Sequence, residues 1–499
     1  MSNYPTNVLF YLEEACCRFA NKAAIRMNDE QLTFAELAEK SRALGVVIAK
    51  KGIKGSPIPV LAERNIYTPV LFFATLYSGN YYIPIDPDMP KNKIHSIFVD
   101  SACQIALAAH RSQNINPAFG EFAGLMTLDD AGDNTELSLC ALEALPLYMV
   151  YTSGSTGVPK GVLKNHKAEI SFVEAYCRTF DFSENDVIGN QTPFYFDASG
   201  KDLYLMLKTG ATLDIIPQEL FMKPLDLITY LDEHKVTFIS WVPSALVVVS
   251  KLGVLSIRKP TTLQKVFFVG EVMPIKHLKN WREALPEVQF VNLYGSSEIA
   301  GIACYQEVIG ALEDSAILPV GKPLDNCKIY LLNEGQVVTE MGKTGEIFIV
   351  SEALAEGYFN DDVRTQEHFV TREFIGSRPE RCFKSGDLAK YNEKGELVFV
   401  SRNDFQIKHM GYRIELGDIE STAEQIADVQ RACCTYDREK ARLTLYCELD
   451  KSSDLTKHDI MSKLRGMLSS YMQPNKVVLV ENMPLTSNGK IDRRFLNAL

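Results

Sequence analysis

The organisation of this chain turns on residues 151–161, which read Tyr-Thr-Ser-Gly-Ser-Thr-Gly-Val-Pro-Lys-Gly. The apolar run Leu147–Tyr151 leads into this stretch and predicts a buried strand, and apolar residues recur at helical spacing from Ile170 to Phe180. We therefore expect a loop that joins a strand to a helix. Glycines let the backbone turn its N–H groups toward an anion, while hydroxyl groups and Lys160 add donors and positive charge. The stretch predicts a loop that holds a polyphosphate.

This loop differs from the common phosphate loop, which has a glycine, four residues and then Gly-Lys-Ser/Thr. Counted from Gly154, the second glycine of that pattern would stand where this chain has Pro159. A flexible surface loop is the alternative interpretation, because glycine and serine also cluster in linkers. The strand before the loop, the helix after it and the position of Lys160 favour phosphate binding.

Length and composition limit the classes of protein to which the chain can belong. Its 499 residues exceed what one core usually organises, so we expect two or more domains. Apolar residues make up 46% and charged residues 23%, which is ordinary for a soluble globular protein. A net charge of -11 argues against a nucleic-acid or anionic membrane surface. No basic leader precedes Glu13 and no apolar run approaches about 20 residues, so we expect no secretion signal and no membrane insertion.

The 11 cysteines show no metal-ligand spacing. Cys16-Cys17 and Cys433-Cys434 are adjacent pairs, whereas zinc sites favour gaps of two residues. Most of the cysteines are therefore expected to be reduced residues of the core, and a cytoplasmic location fits best.

Apolar runs and helical patterns alternate along much of the chain. The runs Ile58–Leu61, Tyr81–Ile85 and Ile105–Ala108 alternate with helical patterns near Thr68–Ser78 and Lys91–Ser101. Such alternation predicts parallel sheet covered by helices on both faces.

The pattern changes from about Ile329, where short strands with glycine-bearing turns predict a small antiparallel or barrel-like unit. Mixed strands and helices return after Arg402. Composition alone marks no boundary at this last change.

Six further stretches, taken with the loop at 151–161, cover nearly the whole chain in a familiar order. They are Asn-Gln-Thr-Pro-Phe-Tyr-Phe-Asp-Ala-Ser-Gly-Lys-Asp-Leu-Tyr (190–204), Gly-Glu-Val (270–272), Asn-Leu-Tyr-Gly-Ser-Ser-Glu (292–298), Lys-Ser-Gly-Asp-Leu (384–388), Ser-Arg-Asn-Asp-Phe-Gln-Ile-Lys-His-Met-Gly-Tyr-Arg (401–413) and Asn-Gly-Lys-Ile-Asp-Arg (488–493). This series resembles the motifs of the adenylate-forming, AMP-binding superfamily. Within it, the chain resembles the amino-acid-adenylating branch, which includes stand-alone D-alanine–carrier protein ligases and the adenylation domains of nonribosomal peptide synthetases.

The resemblance implies an α/β fold in two domains. Residues 1–402 would form a large N-terminal domain of layered sheets and helices with a small β-barrel-like unit. Residues 403–499 would form a small, mobile α+β lid domain. Asp404 matches the residue about which the lid turns, and Ser401 departs from the usual glycine.

The resemblance also implies a site for ATP. Tyr294 would stack on adenine, and Asp387 would accept both ribose hydroxyls, since a carboxylate's two oxygens suit a vicinal diol. Glu298 would hold Mg²⁺, which prefers oxygen ligands. The implied ATP-binding residues are Thr152, Ser153, Gly154, Ser155, Thr156, Gly157, Lys160, Gly270, Glu271, Asn292, Tyr294, Gly295, Ser296, Ser297, Asp387 and Arg402. Family members usually have Pro-Thr where this chain has Ser296-Ser297.

Asp197 matches the aspartate that binds the α-ammonium group of the substrate in amino-acid-activating members. Its neighbours Phe194, Phe196 and Ala198 are apolar, so its carboxylate needs a cationic partner to stay charged. The alternative is an ordinary helix-capping aspartate. By the same matching, the substrate side chain would contact Ala198, Lys201, Ser240, Phe267, Val269, Leu293, Gly301 and Ile302.

Lys201 leaves the substrate open. D-alanine ligases have an apolar residue at this position, whereas a lysine in the pocket could pair with an acidic side chain. Alternatively, Lys201 extends to solvent or pairs with Asp202 or another nearby acid.

The catalytic residues implied by resemblance are Lys490 and Lys408. Lys490 would stabilise the negative charge that develops on the α-phosphate during adenylation. The lid would then rotate and present the face 408–411 for transfer of the acyl group to a thiol. The chain ends nine residues after Lys490, so we expect no attached carrier domain.

The resemblance therefore implies a ligase that activates a small amino acid with ATP and Mg²⁺. It would pass the product to the phosphopantetheine thiol of a separate carrier protein. One alternative is an acyl- or aryl-CoA ligase. Another is a non-catalytic nucleotide- or acyl-binding protein on the same fold.

Overall fold

The computed structural model describes residues 5–111, 119, 124–133, 146–152, 159–313, 317–374, 376, 378–402, 406–437, 440–450, 452–485 and 491–498. Several predicted site residues lie outside these ranges, namely Ser153, Gly154, Ser155, Thr156, Gly157, Asp404 and Lys490.

The largest part of the chain, up to residue 323, alternates helices with mostly parallel strands. Its helices are α1 (Leu9–Phe19), α2 (Phe34–Ala49), α3 (Thr68–Tyr77), α4 (Lys91–Ser101), α5 (His166–Thr179), α6 (Gly200–Thr209), α7 (Pro224–Glu233), α8 (Pro243–Lys251), α9 (Val254–Ile257) and α10 (Ile275–Ala284). Its strands are β1 (Ala23–Met27), β2 (Glu30–Thr33), β3 (Pro57–Leu61), β4 (Tyr81–Ile85), β5 (Ile105–Ala108), β6 (Gly124–Thr127), β7 (Pro146–Thr152), β8 (Lys160–Asn165), β9 (Val187–Asn190), β10 (Thr212–Ile215), β11 (Phe238–Trp241), β12 (Lys265–Val269), β13 (Gln289–Tyr294), β14 (Cys304–Glu307) and β15 (Lys322–Pro323).

Two sheets organise this part. One has nine strands in the order β15-β14-β13-β12-β11-β9-β10-β1-β2, parallel from β13 to β1 and antiparallel at both edges. The other has seven strands, in which β7, β4, β3, β5 and β6 are parallel neighbours. The predicted α/β architecture of layered sheets and helices is confirmed.

The main core packs between these two sheets. It combines Tyr82 and Tyr148 of the seven-stranded sheet with Phe267 and Leu293 of the nine-stranded sheet. Helix α3 is buried along its whole length, as expected for a helix that is apolar on every side. At α2, Thr33 and Glu36 form the predicted capping box.

The prediction that the glycine loop joins a strand to a helix is wrong. Strand β8 intervenes and pairs antiparallel with β7, so that Thr152 lies opposite Lys160 and the loop connects two strands. Residues 160, 162 and 164 face inward, which is the period of a strand. The helix begins at His166, where the side chain of Asn165 accepts a hydrogen bond from the Ala168 amide at 2.8 Å.

A smaller antiparallel unit follows. It contains β16 (Cys327–Asn333), β17 (Gln336–Val337), β18 (Gly345–Ser351), β19 (Gly357–Tyr358), α11 (Asp362–His368), β20 (Phe369–Arg372), β21 (Glu380–Tyr391) and β22 (Leu397–Arg402). Strand β19 joins the seven-stranded sheet through β8, and the other strands form one antiparallel sheet. Among the strands described, no pairing joins β17 to β20, so this sheet is open where a closed barrel was one expectation.

The remaining part is a small α+β unit. It contains β23 (Gln406–His409), β24 (Tyr412–Glu415), α12 (Leu416–Glu424), β25 (Val429–Asp437), β26 (Arg442–Leu449), α13 (Lys457–Arg465), β27 (Lys476–Val480) and α14 (Arg493–Ala498). Strands β25, β26 and β27 form a sheet with its own core, and β23 and β24 form a hairpin. A large N-terminal part and a small C-terminal part are therefore present, as predicted. The boundary at 402/403 remains a prediction.

Across the described ranges, none of the helices combines the length and the apolar character that crossing a membrane requires.

Candidate functional site

The predicted pocket residues meet at the carboxyl ends of neighbouring parallel strands. Ser240 lies on β11, Phe267 and Val269 on β12, and Leu293 on β13. Gly270 and Glu271 follow β12 directly. Ligands of open α/β sheets bind at this edge, so the topology alone marks it as a candidate site.

Two glycines allow the segment after β13 to fold against the pocket. A Cβ at Gly295 would lie 2.4 Å from the carbonyl oxygen of Gly301. Gly301 has a φ of +64°, and a Cβ there would lie 2.3 Å from the ring of Phe172. This close packing holds Gly301 and Ile302 beside the turn that carries Ser296, Ser297 and Glu298.

Tyr294, Asp387 and Arg402 form one polar cluster at the predicted nucleotide end of the site. Asp387 and Arg402 lie opposite each other on β21 and β22, and the Arg402 guanidinium donates to Asp387. The Tyr294 hydroxyl donates to the other oxygen of Asp387. Asn292 turns its side-chain amide to the Pro319 carbonyl at 2.7 Å. Asp387 is thus oriented by two donors of the protein, and its oxygens retain further lone pairs.

Two hydroxyl groups of the predicted phosphate site are buried without a partner. The Thr152 Oγ1 and Ser296 Oγ atoms make no hydrogen bond within the part of the chain that the structure describes. An unsatisfied buried hydroxyl group costs free energy, so its presence favours a polar ligand at this place.

Glu298 is a fully buried carboxylate, and Arg413 is its main partner. Arg413 Nη1 lies 2.7 Å from Glu298 Oε2 and 3.0 Å from Oε1, and the Tyr358 hydroxyl donates to Oε1 at 2.9 Å. Although burial acts to raise it, the pKa of Glu298 is held well below its usual range by Arg413 and Lys160. The carboxylate is therefore ionised, and its two oxygen atoms are ligands of the kind that a hard cation such as Mg²⁺ prefers.

The hairpin of β23 and β24 reaches into this site through its turn. Met410 and Gly411 both have positive φ, as a two-residue hairpin turn requires. The Gly411 amide donates to Glu271 Oε1 at 3.0 Å. A Cβ at Gly411 would lie 2.6 Å from the side chain of Val242, so only glycine allows this approach.

Two lysines of the site face this hairpin or lie on it. Lys408 Nζ lies 5.8 Å from the ring centre of Tyr294, and burial lowers the pKa of Lys408. Lys160 Nζ lies 3.6 Å from Glu415 Oε1, and burial likewise lowers its pKa. The face 408–411 therefore meets the predicted ATP-binding residues in this arrangement of the two parts.

Asp197 already has a cation beside it. Lys164, whose side chain is completely buried, donates to Asp197 Oδ1, and its ammonium group also donates to the Ile299 carbonyl at 3.2 Å. The Tyr148 hydroxyl donates to the same Oδ1 atom at 2.9 Å. Oδ2 has no partner among the described residues, and the Asp197 side chain is 13% exposed. Oδ1 is thus held by two groups of the protein, while Oδ2 remains available to a ligand.

Glu169 adds a second carboxylate to this cluster. Its Oε2 lies 3.2 Å from the Tyr148 hydroxyl, and its Oε1 is buried without a partner in the described ranges. Burial raises the pKa of Glu169 to about 7, against the opposing effect of Lys164. Burial also raises the pKa of Asp197, again opposed by Lys164.

The ammonium group of Lys201 is already paired with groups of the protein. Its ammonium group lies 2.8 Å from Asp202 Oδ1 and 3.1 Å from the Ser240 carbonyl, and its side chain is only 2% exposed. Asn190 donates to the second oxygen of Asp202 at 3.1 Å. Of the alternatives drawn from the sequence, the structure shows the pair with Asp202, and Lys201 does not extend to solvent.

The sequence missed four members of the site, namely Tyr148, Lys164, Glu169 and Arg413. One signal was present for Lys164, because a lysine at a buried position of the alternating strand β8 needs a partner inside the protein. The apolar neighbours of Asp197 predicted a cationic partner correctly, but not that the chain itself supplies one.

Comparisons with known proteins identify the family of the chain. A family model described as AMP-binding enzyme matches residues 12–359, and one described as AMP-binding enzyme C-terminal domain matches residues 418–490. The chain is 32% identical over 509 residues to bacitracin synthase 3 of Bacillus licheniformis, in an alignment that covers 99% of this chain and 8% of that protein. It is 30% identical over 498 residues to gramicidin S synthase 2 of Brevibacillus brevis, with 99% of this chain and 11% of that protein covered. The chain therefore spans only a small part of the length of these relatives.

Solved structures share the fold. A protein described as containing the adenylation and PCP domains of an NRPS, holo-PA1221, gives a TM-score of 0.86 at 22% identity and covers 98% of this chain and 84% of its own. The o-succinylbenzoate CoA synthetase of Bacillus subtilis gives 0.85 at 20% identity, with 98% of each chain covered. Both kinds of protein have this fold, so the substrate has to be argued from the site.

Proposed function

The chain belongs to the AMP-binding enzyme family, and on that premise we propose that it activates an amino acid as the aminoacyl-adenylate and transfers it to the phosphopantetheine thiol of a carrier protein. In the first step the substrate carboxylate attacks the α-phosphate of ATP, and pyrophosphate leaves. In the second step the thiol attacks the acyl carbon, and AMP leaves.

The observation that carries the amino-acid assignment is the state of Asp197. Its Oδ1 is anchored by Lys164 and Tyr148, and its Oδ2 has no partner in the described part of the chain. An available oxygen of a half-buried carboxylate suits an ammonium group, because an ionised donor and acceptor give the stronger hydrogen bonds. A substrate without an amino group would leave this oxygen unsatisfied.

The substrate side chain is proposed to be small and uncharged. Lys201 lies where an acidic side chain would need its partner, but its charge is already balanced by Asp202. An acidic side chain would have to displace Asp202 and leave that carboxylate buried and unpaired, which is costly. A short neutral side chain leaves the pair intact.

ATP is proposed to lie between the Tyr294–Glu298 segment and the end of β7, where Thr152 lies. The unsatisfied hydroxyls of Thr152 and Ser296 support this placement. Glu298 would hold Mg²⁺, which when bound would neutralise charge on the phosphates. No cluster of three or more potential His, Cys, Asp or Glu ligands occurs among the residues described, so phosphate oxygens and water would complete the coordination.

The contact of Arg413 with Glu298 supports a reaction in two arrangements of the lid. Arg413 uses both oxygens of the carboxylate that Mg²⁺ would need. The first step therefore requires the hairpin to withdraw, and its return suits the second step, after pyrophosphate has left. The proposed domains 1–402 and 403–499 would move about Asp404 between the two steps.

The acceptor distinguishes this proposal from a CoA ligase. With ATP, Mg²⁺ and the preferred amino acid, we expect a phosphopantetheinylated carrier protein to gain the mass of one aminoacyl group. Coenzyme A should react at least about ten-fold more slowly, because it lacks the surface of a protein partner. Intact-mass measurement over a panel of carrier proteins, with the same carriers lacking phosphopantetheine as the control, makes the test. Acylation of coenzyme A by a carboxylic acid without an amino group, with every carrier unmodified, would contradict the proposal.

A further inference from the structure

The cluster around Asp197 contains more charge than one ammonium site needs. Two carboxylates, Asp197 and Glu169, share the Tyr148 hydroxyl, which lies 2.9 Å from one and 3.2 Å from the other. Among the described residues, the one cation that contacts this pair is Lys164, which is bound to Asp197. Glu169 is 1% exposed and its Oε1 atom makes no hydrogen bond within the described ranges.

A buried cluster of this kind has to balance its charges. An uncompensated charge in a buried site is strongly unfavourable, so a binding event that adds a cation needs a matching anion. If Lys164 and Asp197 neutralise each other, the ammonium group of a substrate is left without a counter-charge. Glu298 also lies near Asp197, but it is paired with Arg413. Glu169 has no salt-bridge partner among the described residues, so it is the carboxyl group that can supply the counter-charge.

We propose that Asp197 and Glu169 form a two-carboxylate site in which Lys164 fills one cation position and the ammonium group of the substrate fills the other. This inference rests on the proposed function and adds a positioning residue to it. The substrate ammonium contacts Asp197 Oδ2. Glu169 acts as a positioning residue, which balances the added charge through Tyr148 without touching the substrate.

The proposal has a consequence for pH. Burial raises the pKa of Glu169 to about 7, so at lower pH the empty site holds Glu169 protonated. Binding of the ammonium group favours the ionised form, and Glu169 then releases a proton. The amino acid's KM should therefore rise about ten-fold per pH unit as the pH falls below 7, and should be flat above about pH 8. The charged and titratable groups that face Glu169 are Lys164 on β8, Tyr148 on β7, Tyr82 on β4, Tyr204 on α6 and Asp197.

Variants that remove one charge or two separate this proposal from a purely structural role. Glu169→Gln leaves two cations on one carboxylate, so the amino acid's KM in ATP–pyrophosphate exchange should rise about a hundred-fold while the KM for ATP stays unchanged. Lys164→Met added to Glu169→Gln removes the surplus cation and should restore the KM to within about ten-fold of the starting value. Rescue by a second substitution is not expected of a residue that only supports the fold.

The matched control is Glu174→Gln. Glu174 lies on the same helix α5, but it pairs with Lys208 and Tyr11 away from Asp197. The KM of the Glu174→Gln variant for the amino acid should equal that of the unaltered chain. The pH profile of the unaltered chain tests the same idea without any substitution.

Two results would overturn the inference, and they differ from failure of the proposed function. An unchanged amino-acid KM in Glu169→Gln, in a chain that activates amino acids, would overturn the two-carboxylate site alone. An amino-acid KM that stays independent of pH from 8 down to about 5 in the unaltered chain would do the same. Activation only of acids that lack an amino group would overturn the proposed function, and this inference with it.

Discussion

Replacement of Lys490 with alanine is expected to lower the rate of adenylate formation by about a hundred- to a thousand-fold. The reason is electrostatic, since Lys490 is proposed to place a positive charge where the α-phosphate gains negative charge in the transition state. Transfer of the acyl group from a supplied adenylate to a thiol should continue at close to the original rate. ATP–pyrophosphate exchange measures the first half-reaction, and thioester formation from synthetic adenylate measures the second.

Replacement of Gly411 with alanine is expected to have the opposite effect: it should slow thiol transfer and leave adenylate formation intact. A Cβ at residue 411 would lie 2.6 Å from Val242 and would also strain a backbone with a φ of +83°. The hairpin could then not approach Glu271, so thiol transfer should fall by at least about ten-fold while exchange continues. Equal loss of both half-reactions in either variant would contradict the division of labour between Lys490 and the hairpin.

Among the substitutions proposed for this chain, replacement of Lys201 with methionine should lower the stability of the fold most. It leaves Asp202 buried and without its cation, which is expected to lower the free energy of unfolding by about 3–5 kcal/mol. Addition of Asp202→Asn removes the unpaired carboxylate charge and should restore most of the lost free energy of unfolding. Urea unfolding of the unaltered chain, the single variant and the double variant measures the difference.

The same pair of variants tests the proposed substrate class. Because Lys201 is committed to Asp202, the double variant should keep the original preference for alanine over glutamate in exchange. A loss of glutamate activation in the double variant would show that Lys201 binds an acidic substrate. An unfolding free energy unaffected by Lys201→Met would show that the buried pair is absent.

Much of the fold followed from local patterns. The strands at Tyr81–Ile85 and Ile105–Ala108 and the helix at Lys91–Ser101 have the predicted bounds, because apolar runs and helical periodicity coincide there with punctuation by proline and polar residues. Strand β8 was missed because its short inward set, residues 160, 162 and 164, contains two lysines. A lysine normally indicates an exposed position, whereas here buried acidic partners compensate for the burial.

The composition of the site depended on contacts that no local pattern contains. Arg413 and Glu298 are 115 residues apart, and Lys164 and Asp197 are 33 residues apart. The sequence supplied the residue types and the need of Asp197 for a cation. Only the packing of β8 against the pocket makes Lys164 that cation, and only the position of the hairpin turns Arg413 toward Glu298.

The most direct test of the central claim is ATP–pyrophosphate exchange of the unaltered chain over a panel of amino acids, including D-isomers, and the matching acids without an amino group. When the pyrophosphate is radioactively labelled, the label should appear in ATP in the presence of one or a few small, uncharged amino acids. Each matching acid without an amino group should be at least about a hundred-fold less effective, since it leaves Asp197 Oδ2 unsatisfied. Equal or greater exchange with the acids that lack the amino group would contradict the account.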